Sequence, residues 1–252
     1  MMKRIIPCLD IKNGKVAKGI KFSNLKTVGD PIKLARKYSK EKADELALLN
    51  ISNSATEESF LNLITRVKKT IQIPLIVSGR IKRISDIEKL LNAGANKVCL
   101  YTSFVETPEF LLELINKIKM EIKNKRIIVG IDVKKKGRKW RVVGKGFKKT
   151  NLDVIEWAKR VKKRGIKEIL LTSMERDGTK KGYDIELSRK LKENISLPII
   201  IAGGAGKKED FWEAFTKGKA DAALAASIFH FSKIKISELK KYLKQKGVCV
   251  KL

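Results

Sequence analysis

Apolar and polar positions along this chain alternate between two periods. Short, near-continuous apolar runs rich in β-branched residues recur near 4–10, 45–51, 74–78, 96–101, 127–133, 168–173, 198–202 and 221–225. Runs of that kind suit parallel strands covered on both faces. Between them, apolar residues return every three or four positions near 31–40, 57–71, 84–93, 107–122, 152–164, 185–194, 208–217 and 236–246, the stripe of an amphipathic helix. Asp30 and Thr107 stand as N-caps before Pro31 and Pro108, and Gly94, Gly165, Gly218 and Gly247 follow helical runs as C-caps. Eight strands alternating with eight helices predict an α/β fold, a single (β/α)8 TIM barrel over residues 1–252. An open doubly wound sheet is the alternative. Two connections are long, about 11–30 after the first strand and about 134–150 after the fifth. They are expected as loops at the face where barrel enzymes work.

The pattern also repeats. Ile5 through Lys12 (IIPCLDIK) reads like Ile127 through Lys134 (IIVGIDVK), which sets Asp10 122 residues before Asp132. Ile73 through Gly79 reads like Leu197 through Gly203, and Asp86, Gly94 and Ser103 match Asp210, Gly218 and Ser227, all 124 apart. A near-constant offset predicts two half-barrels, roughly 1–122 and 123–252.

Composition adds constraints. No run is apolar for the roughly 18 residues of a membrane span, and no signal-peptide pattern opens the chain, so a cytoplasmic protein is expected. Three scattered cysteines lack zinc spacing and read as free thiols. No metal motif stands out, and no cofactor is expected. The formal net charge is +30. The lysines are spread along solvated helix faces with no RNA platform or recognition helix, so specific nucleic-acid binding is not expected, although anionic substrates are favoured.

The matched aspartates Asp10 and Asp132 end opposite strands of the expected barrel and aim at one mouth. Paired carboxylates serve as general acid and base when their surroundings differ. The lone histidine, His230, lies between Phe229 and Phe231 and reads as structural. Gly203-Gly204-Ala205-Gly206 and Ala225-Ala226-Ser227 follow the seventh and eighth strands, where barrels cradle phosphate with backbone N–H groups. The repeat places a second cradle at Ser78-Gly79-Arg80 and Tyr101-Thr102-Ser103, so a ligand with a phosphate at each end is expected. Asp177-Gly178-Thr179 reads equally as a substrate loop or a plain turn.

Lys3 through Asp10 (KRIIPCLD), Gly29-Asp30-Pro31, Glu168 through Asp184 (EILLTSMERDGTKKGYD), Gly203 through Gly206 and Ala220 through Phe231 (ADAALAASIFHF) together carry a resemblance. The chain resembles the HisA/HisF family of histidine-biosynthesis barrels nearly end to end, and within it the cyclase subunits of imidazole glycerol phosphate synthase. That resemblance implies a lyase acting on PRFAR, a bisphosphorylated carboxamide ribonucleotide. Ammonia from a glutaminase partner (HisH-type) is added, and imidazole glycerol phosphate and AICAR are released. It implies catalysis by Asp10 and Asp132, and substrate or phosphate binding by Lys18, Gly79, Arg80, Thr102, Ser103, Asp177, Gly178, Gly203, Gly204, Ala226 and Ser227. It further implies an ammonia gate of Arg4, Glu45, Lys97 and Glu168, with the glutaminase docked as a heterodimer on the N-terminal barrel face.

Some residues depart from the family pattern. Ser78-Gly79-Arg80 stands for a glycine run, Tyr101-Thr102 for an Asn-Thr pair, and Asn50 for an Asp. Arg80 either blocks the phosphate site of the first half or grips the phosphate with its guanidinium. Other readings are a sugar-phosphate isomerase of the same family, a paralogue using ammonia on another substrate, and a scaffold that only activates a glutaminase.

Overall fold

A computed structural model describes residues 2–20, 23–52, 57–79, 81, 83–101, 108–121, 127–137, 139–144, 148–231 and 233–252. Eight strands form one closed parallel barrel: β1 (Arg4–Lys12), β4 (Leu46–Asn50), β5 (Leu75–Ser78), β6 (Lys97–Tyr101), β7 (Ile127–Lys136), β10 (Ile169–Ser173), β11 (Ile199–Ala202) and β12 (Ala222–Ala225). Closure comes from β12 pairing with β1, where Arg4 faces Ala222 and Pro7 faces Ala225. The barrel is a TIM barrel, as the alternating periods predict, and closure rules out the open sheet.

Helices α1 (Pro31–Lys40), α2 (Glu57–Thr70), α3 (Ile84–Asn92), α4 (Pro108–Glu121), α5 (Val154–Lys163), α6 (Ile185–Asn194), α7 (Lys208–Thr216) and α9 (Ile236–Gln245) surround it, and the short α8 (Ser227–His230) follows β12. Each expected helix is present within two residues of its predicted ends. Asp30 caps α1 by accepting from Lys33 N at 2.8 Å. Thr107 lies outside the described residues. Gly94, Gly165 and Gly247 take positive φ after their helices, but after α7 the left-handed residue is Lys219 (φ 55°) in place of Gly218.

Two cores result from strands with both faces covered. Outward-facing side chains such as Ile5, Leu9, Val129 and Leu171 pack against the helices. Inward-facing Ile6, Cys8, Ala47, Ile76, Cys99, Ile128, Leu170, Ile200 and Ala222 fill the barrel. The lower barrel is therefore a packed apolar column, and polar chemistry is confined to its two ends.

The two long connections are not loops. β2 (Lys15–Ile20) and β3 (Ser23–Gly29) extend β1 into an antiparallel meander, and β8 (Lys139–Val143) and β9 (Lys149–Asp153) do the same for β7. Asn13 (φ 50°) and Gly14 (φ 72°) make the first turn, between paired Lys12 and Lys15. An Asn-Gly pair is the preferred chemistry of a two-residue hairpin, because its backbone twist matches that of the strands. Further symmetry lies at α3 and α7, where Asp86 and Asp210 reach back to the N–H groups of Arg83 (3.1 Å) and Lys207 (3.0 Å).

Candidate active site and gate

The carboxyl ends of the barrel strands gather the mouth. Asp10 sits near the end of β1, buried, beside Leu49 of β4, and Asp132 sits near the end of β7, buried, beside Thr172 of β10. One Asp10 oxygen accepts from Lys18 Nζ at 2.9 Å and the other faces the Cys8 thiol at 3.5 Å. Lys18 comes from β2, so the first meander folds a cation back over the mouth. The same Nζ reaches Asp177 Oδ1 at 3.4 Å, joining β1 to the loop after β10. Burial works against the Lys18 charge, but Asp10 and Asp177 outweigh it and hold the ammonium firmly protonated. Asp177 moves the other way. Burial raises its pKa above the usual carboxylate value, and Asp10 adds to the rise while Lys18 opposes it.

The loops after β10 and β11 are wedged together. Gly203 (φ 89°) and Gly204 (φ 111°) are left-handed. A Cβ on Gly203 would lie 2.8 Å from the Ser173 carbonyl, and one on Gly204 would overlap the Gly182 carbonyl. Glycine is required here by both conformation and space. Asp177 and Gly178 (φ 70°) lie on the same wedge, and Ala226 and Ser227 lead into α8 beyond β12. These residues ring the side of the mouth where the sequence leads us to expect the phosphate cradle that follows the seventh and eighth strands.

The other side differs. Ser78 Oγ donates to the Cys99 carbonyl at 2.7 Å, so its hydroxyl is already committed. Asn50 Oδ1 accepts from Ser52 N at 3.0 Å in a local turn. Gly79 is described and packs near Asn50 and Phe60. Arg80, Thr102 and Ser103 lie outside the described residues. The Tyr101 ring lies over Gly130, its register partner on β7, where any Cβ would overlap it.

His230 is structural in its contacts. Its Nδ1 shares a 2.7 Å hydrogen bond with the Tyr38 hydroxyl, and burial lowers its pKa to about 4, so the ring is neutral. Among the described residues no cluster of His, Cys, Asp and Glu is arranged to hold a metal ion. No described helix is long and apolar enough to cross a membrane.

At the opposite, N-terminal end, Arg4, Glu45, Lys97 and Glu168 close a ring. Arg4 bonds to both Glu45 and Glu168, and Lys97 Nζ lies 3.2 Å from Glu45 Oε2 and 2.9 Å from Glu168 Oε2. Each cation thus touches each anion. Burial opposes the Arg4 charge, and Glu168 and Glu45 more than compensate for it. The four residues come from four different strand starts, so only the closed barrel brings them together.

Comparison with known proteins shows the family. A family described as "Histidine biosynthesis protein" matches residues 4–235. The chain is similar to the imidazole glycerol phosphate synthase subunit HisF of Dehalococcoides mccartyi, at 45% identity over 252 residues, covering 99% of this chain and 98% of that one. It is also similar to the HisF subunit of Clostridium botulinum, at 47% identity over 256 residues, with 99% of each chain covered.

Proposed function

The chain belongs to the histidine biosynthesis protein family, in the HisF line of imidazole glycerol phosphate synthase cyclase subunits, lyases of histidine biosynthesis, and on that footing we propose that Asp10 and Asp132 are its acid–base pair. The substrate is PRFAR. Ammonia adds to it, the carboxamide ribonucleotide leaves as AICAR, and the remainder closes to imidazole glycerol phosphate with loss of one water. Each step moves a proton, and two carboxylates facing one substrate from opposite strands give and take it. Lys18 and Asp177 bind the substrate at the mouth. Gly203, Gly204, Ala226 and Ser227, with Gly178, hold one phosphate. Gly79, Arg80, Thr102 and Ser103 hold the other.

The observation that carries the site assignment is Lys18 bridging Asp10 and Asp177, which joins three separate segments over the barrel mouth. We further propose that a glutaminase subunit docks on the N-terminal face to form a heterodimer, and that ammonia enters past the Arg4, Glu45, Lys97 and Glu168 ring. In this reading the chain is one domain of two equivalent half-barrels, works in the cytoplasm and needs no cofactor.

The test is turnover of PRFAR by the purified chain with an ammonium salt and no glutaminase. Turnover that is lost in both Asp10→Asn and Asp132→Asn is expected. No turnover from folded, unaltered protein would sink the proposal.

A further inference from the structure

Strand β1 is gripped unevenly along its length. Its pairing with β12 ends at Pro7 and Ala225, and its pairing with β2 begins at Ile11 and Val16. Between those points Cys8, Leu9 and Asp10 pair with Ala47, Leu48 and Leu49 of β4, on the other edge. Successive residues of a strand turn their N–H and C=O groups to opposite edges. The Ile5 and Ile11 carbonyls accept from Asp44 and Ile51, on either side of β4, and the Arg4 N–H donates to the Asp221 carbonyl, just before β12. Even-numbered residues of β1 therefore face the β12 edge, and the Cys8 carbonyl falls just past the end of that ladder. A buried carbonyl needs a donor. The stretch that lacks a second ladder is the one that carries Asp10.

The chain brings a side chain to this gap. Helix α8 follows β12 with only Ala226 between them, and its last residue is the buried His230. Tyr38, buried on α1, holds the imidazole through Nδ1 and stacks on it with ring centroids 6.0 Å apart. A neutral imidazole has one N–H, and the bond made at one nitrogen sets which nitrogen carries it. With the Tyr38 hydroxyl donating to Nδ1, the proton sits on Nε2. That nitrogen is buried and has no hydrogen-bond partner of ordinary geometry among the described residues, and the Cys8 backbone acts on the ring. The strand register and the ring thus point to the same acceptor.

We infer that His230 is a positioning residue for Asp10: its Nε2–H serves the Cys8 carbonyl and, with Tyr38 fixing the tautomer from behind, steadies the tip of β1 where the β12 ladder has stopped. The inference rests on the cyclase reading above, in which Asp10 is one of the acid–base pair, and deepens it. His230 touches no reacting atom and passes no proton. What it sets is where the carboxylate points.

The single histidine makes the first readout direct. In protein labelled with isotopic histidine, the one imidazole should appear at neutral pH as the Nε2–H tautomer, and Tyr38→Phe should shift its Nδ1 signal. The second readout is turnover with ammonium salt as nitrogen source, varying PRFAR. His230→Gln keeps an N–H donor near the Nε2 position, and His230→Leu removes it. Thermal melts check folding. The expected result is a kcat lowered about 10- to 100-fold in His230→Leu, the cost of a misplaced reacting group, with the KM for PRFAR unchanged and most of kcat kept in His230→Gln. An Nδ1–H tautomer overturns the inference, and so does an unchanged kcat in His230→Leu. Equal losses in His230→Leu and His230→Gln overturn it too, since the imidazole would then only fill space. If His230→Leu does not fold, Tyr38→Phe carries the kinetic test: a kcat loss of about 3- to 10-fold is expected, the worth of one hydrogen bond, and no loss overturns the inference. The Nε2–H tautomer without any turnover in the unaltered chain would instead sink the cyclase reading, and the role toward Asp10 with it.

Discussion

The two ends of the barrel hold similar residues in opposite arrangements. The N-terminal ring sets two cations against two anions, and each touches both opposites. At the mouth, one ammonium, Lys18, faces two carboxylates, Asp10 and Asp177. A closed, balanced ring gains from burial what each charge loses in hydration, and it fixes geometry. One cation shared between two carboxylates is unbalanced. The lesson is that the two ends differ in charge balance more sharply than in residue type.

The sharpest way to test that contrast is to remove a charge from each end. Asp10→Asn and Asp132→Asn should each cut PRFAR turnover by about 10²–10⁴-fold while melting close to the unaltered protein. Glu168→Ala should do the reverse for stability, costing about 2–4 kcal/mol in denaturant titration because Arg4 and Lys97 each lose a buried partner. The lower figure is favoured, since those two side chains keep 23% and 25% exposure and can recruit water.

Acid should then act through the mouth end. His230 has a pKa lowered from 6.5 to about 4, so the unfolded chain takes up this proton first. Stability is full above 6.5 and should fall by about 2–4 kcal/mol as pH drops toward 4, visible as a falling denaturation midpoint. His230→Gln should flatten that slope. Asp177 gives the smallest effect and the opposite sign. Its raised pKa contributes stability that is full below 3.8 and lost as pH rises through the folded value. Asp177→Asn should remove that loss, a small gain at neutral pH read in the same titration.

Much of the barrel is legible in local sequence because strand and helix periods are local properties. The ends of α1 and α6 fall on the predicted residues. Asp10 and Asp132 are legible because the sequence carries nearly the same motif twice, at 5–12 and 127–134. The meanders were missed because long connections read as loops, although Asn13-Gly14 was a hairpin signal in plain view. The ring at the N-terminal end was out of reach for a physical reason. Arg4, Glu45, Lys97 and Glu168 are single charges at strand starts, and nothing local says that four of them meet. Only the resemblance pointed to them. Tyr101 appeared in the sequence as a departure from a pattern, and its partner Gly130, a register neighbour across a strand pair, is visible only in the folded sheet.

The hairpin that carries Lys18 has a further consequence. Among the described residues β2 pairs with β1 and β3, and β3 with β2 alone, so the segment lies outside the closed ladder. It can peel away as its own unit of local unfolding while the barrel amides stay protected. Hydrogen exchange in β2 and β3 should then outpace that of β1, and each opening would carry the lysine off Asp10. The lysine over the mouth is therefore carried by a strand pair outside the ladder, and its departure from Asp10 need not disturb the barrel at all.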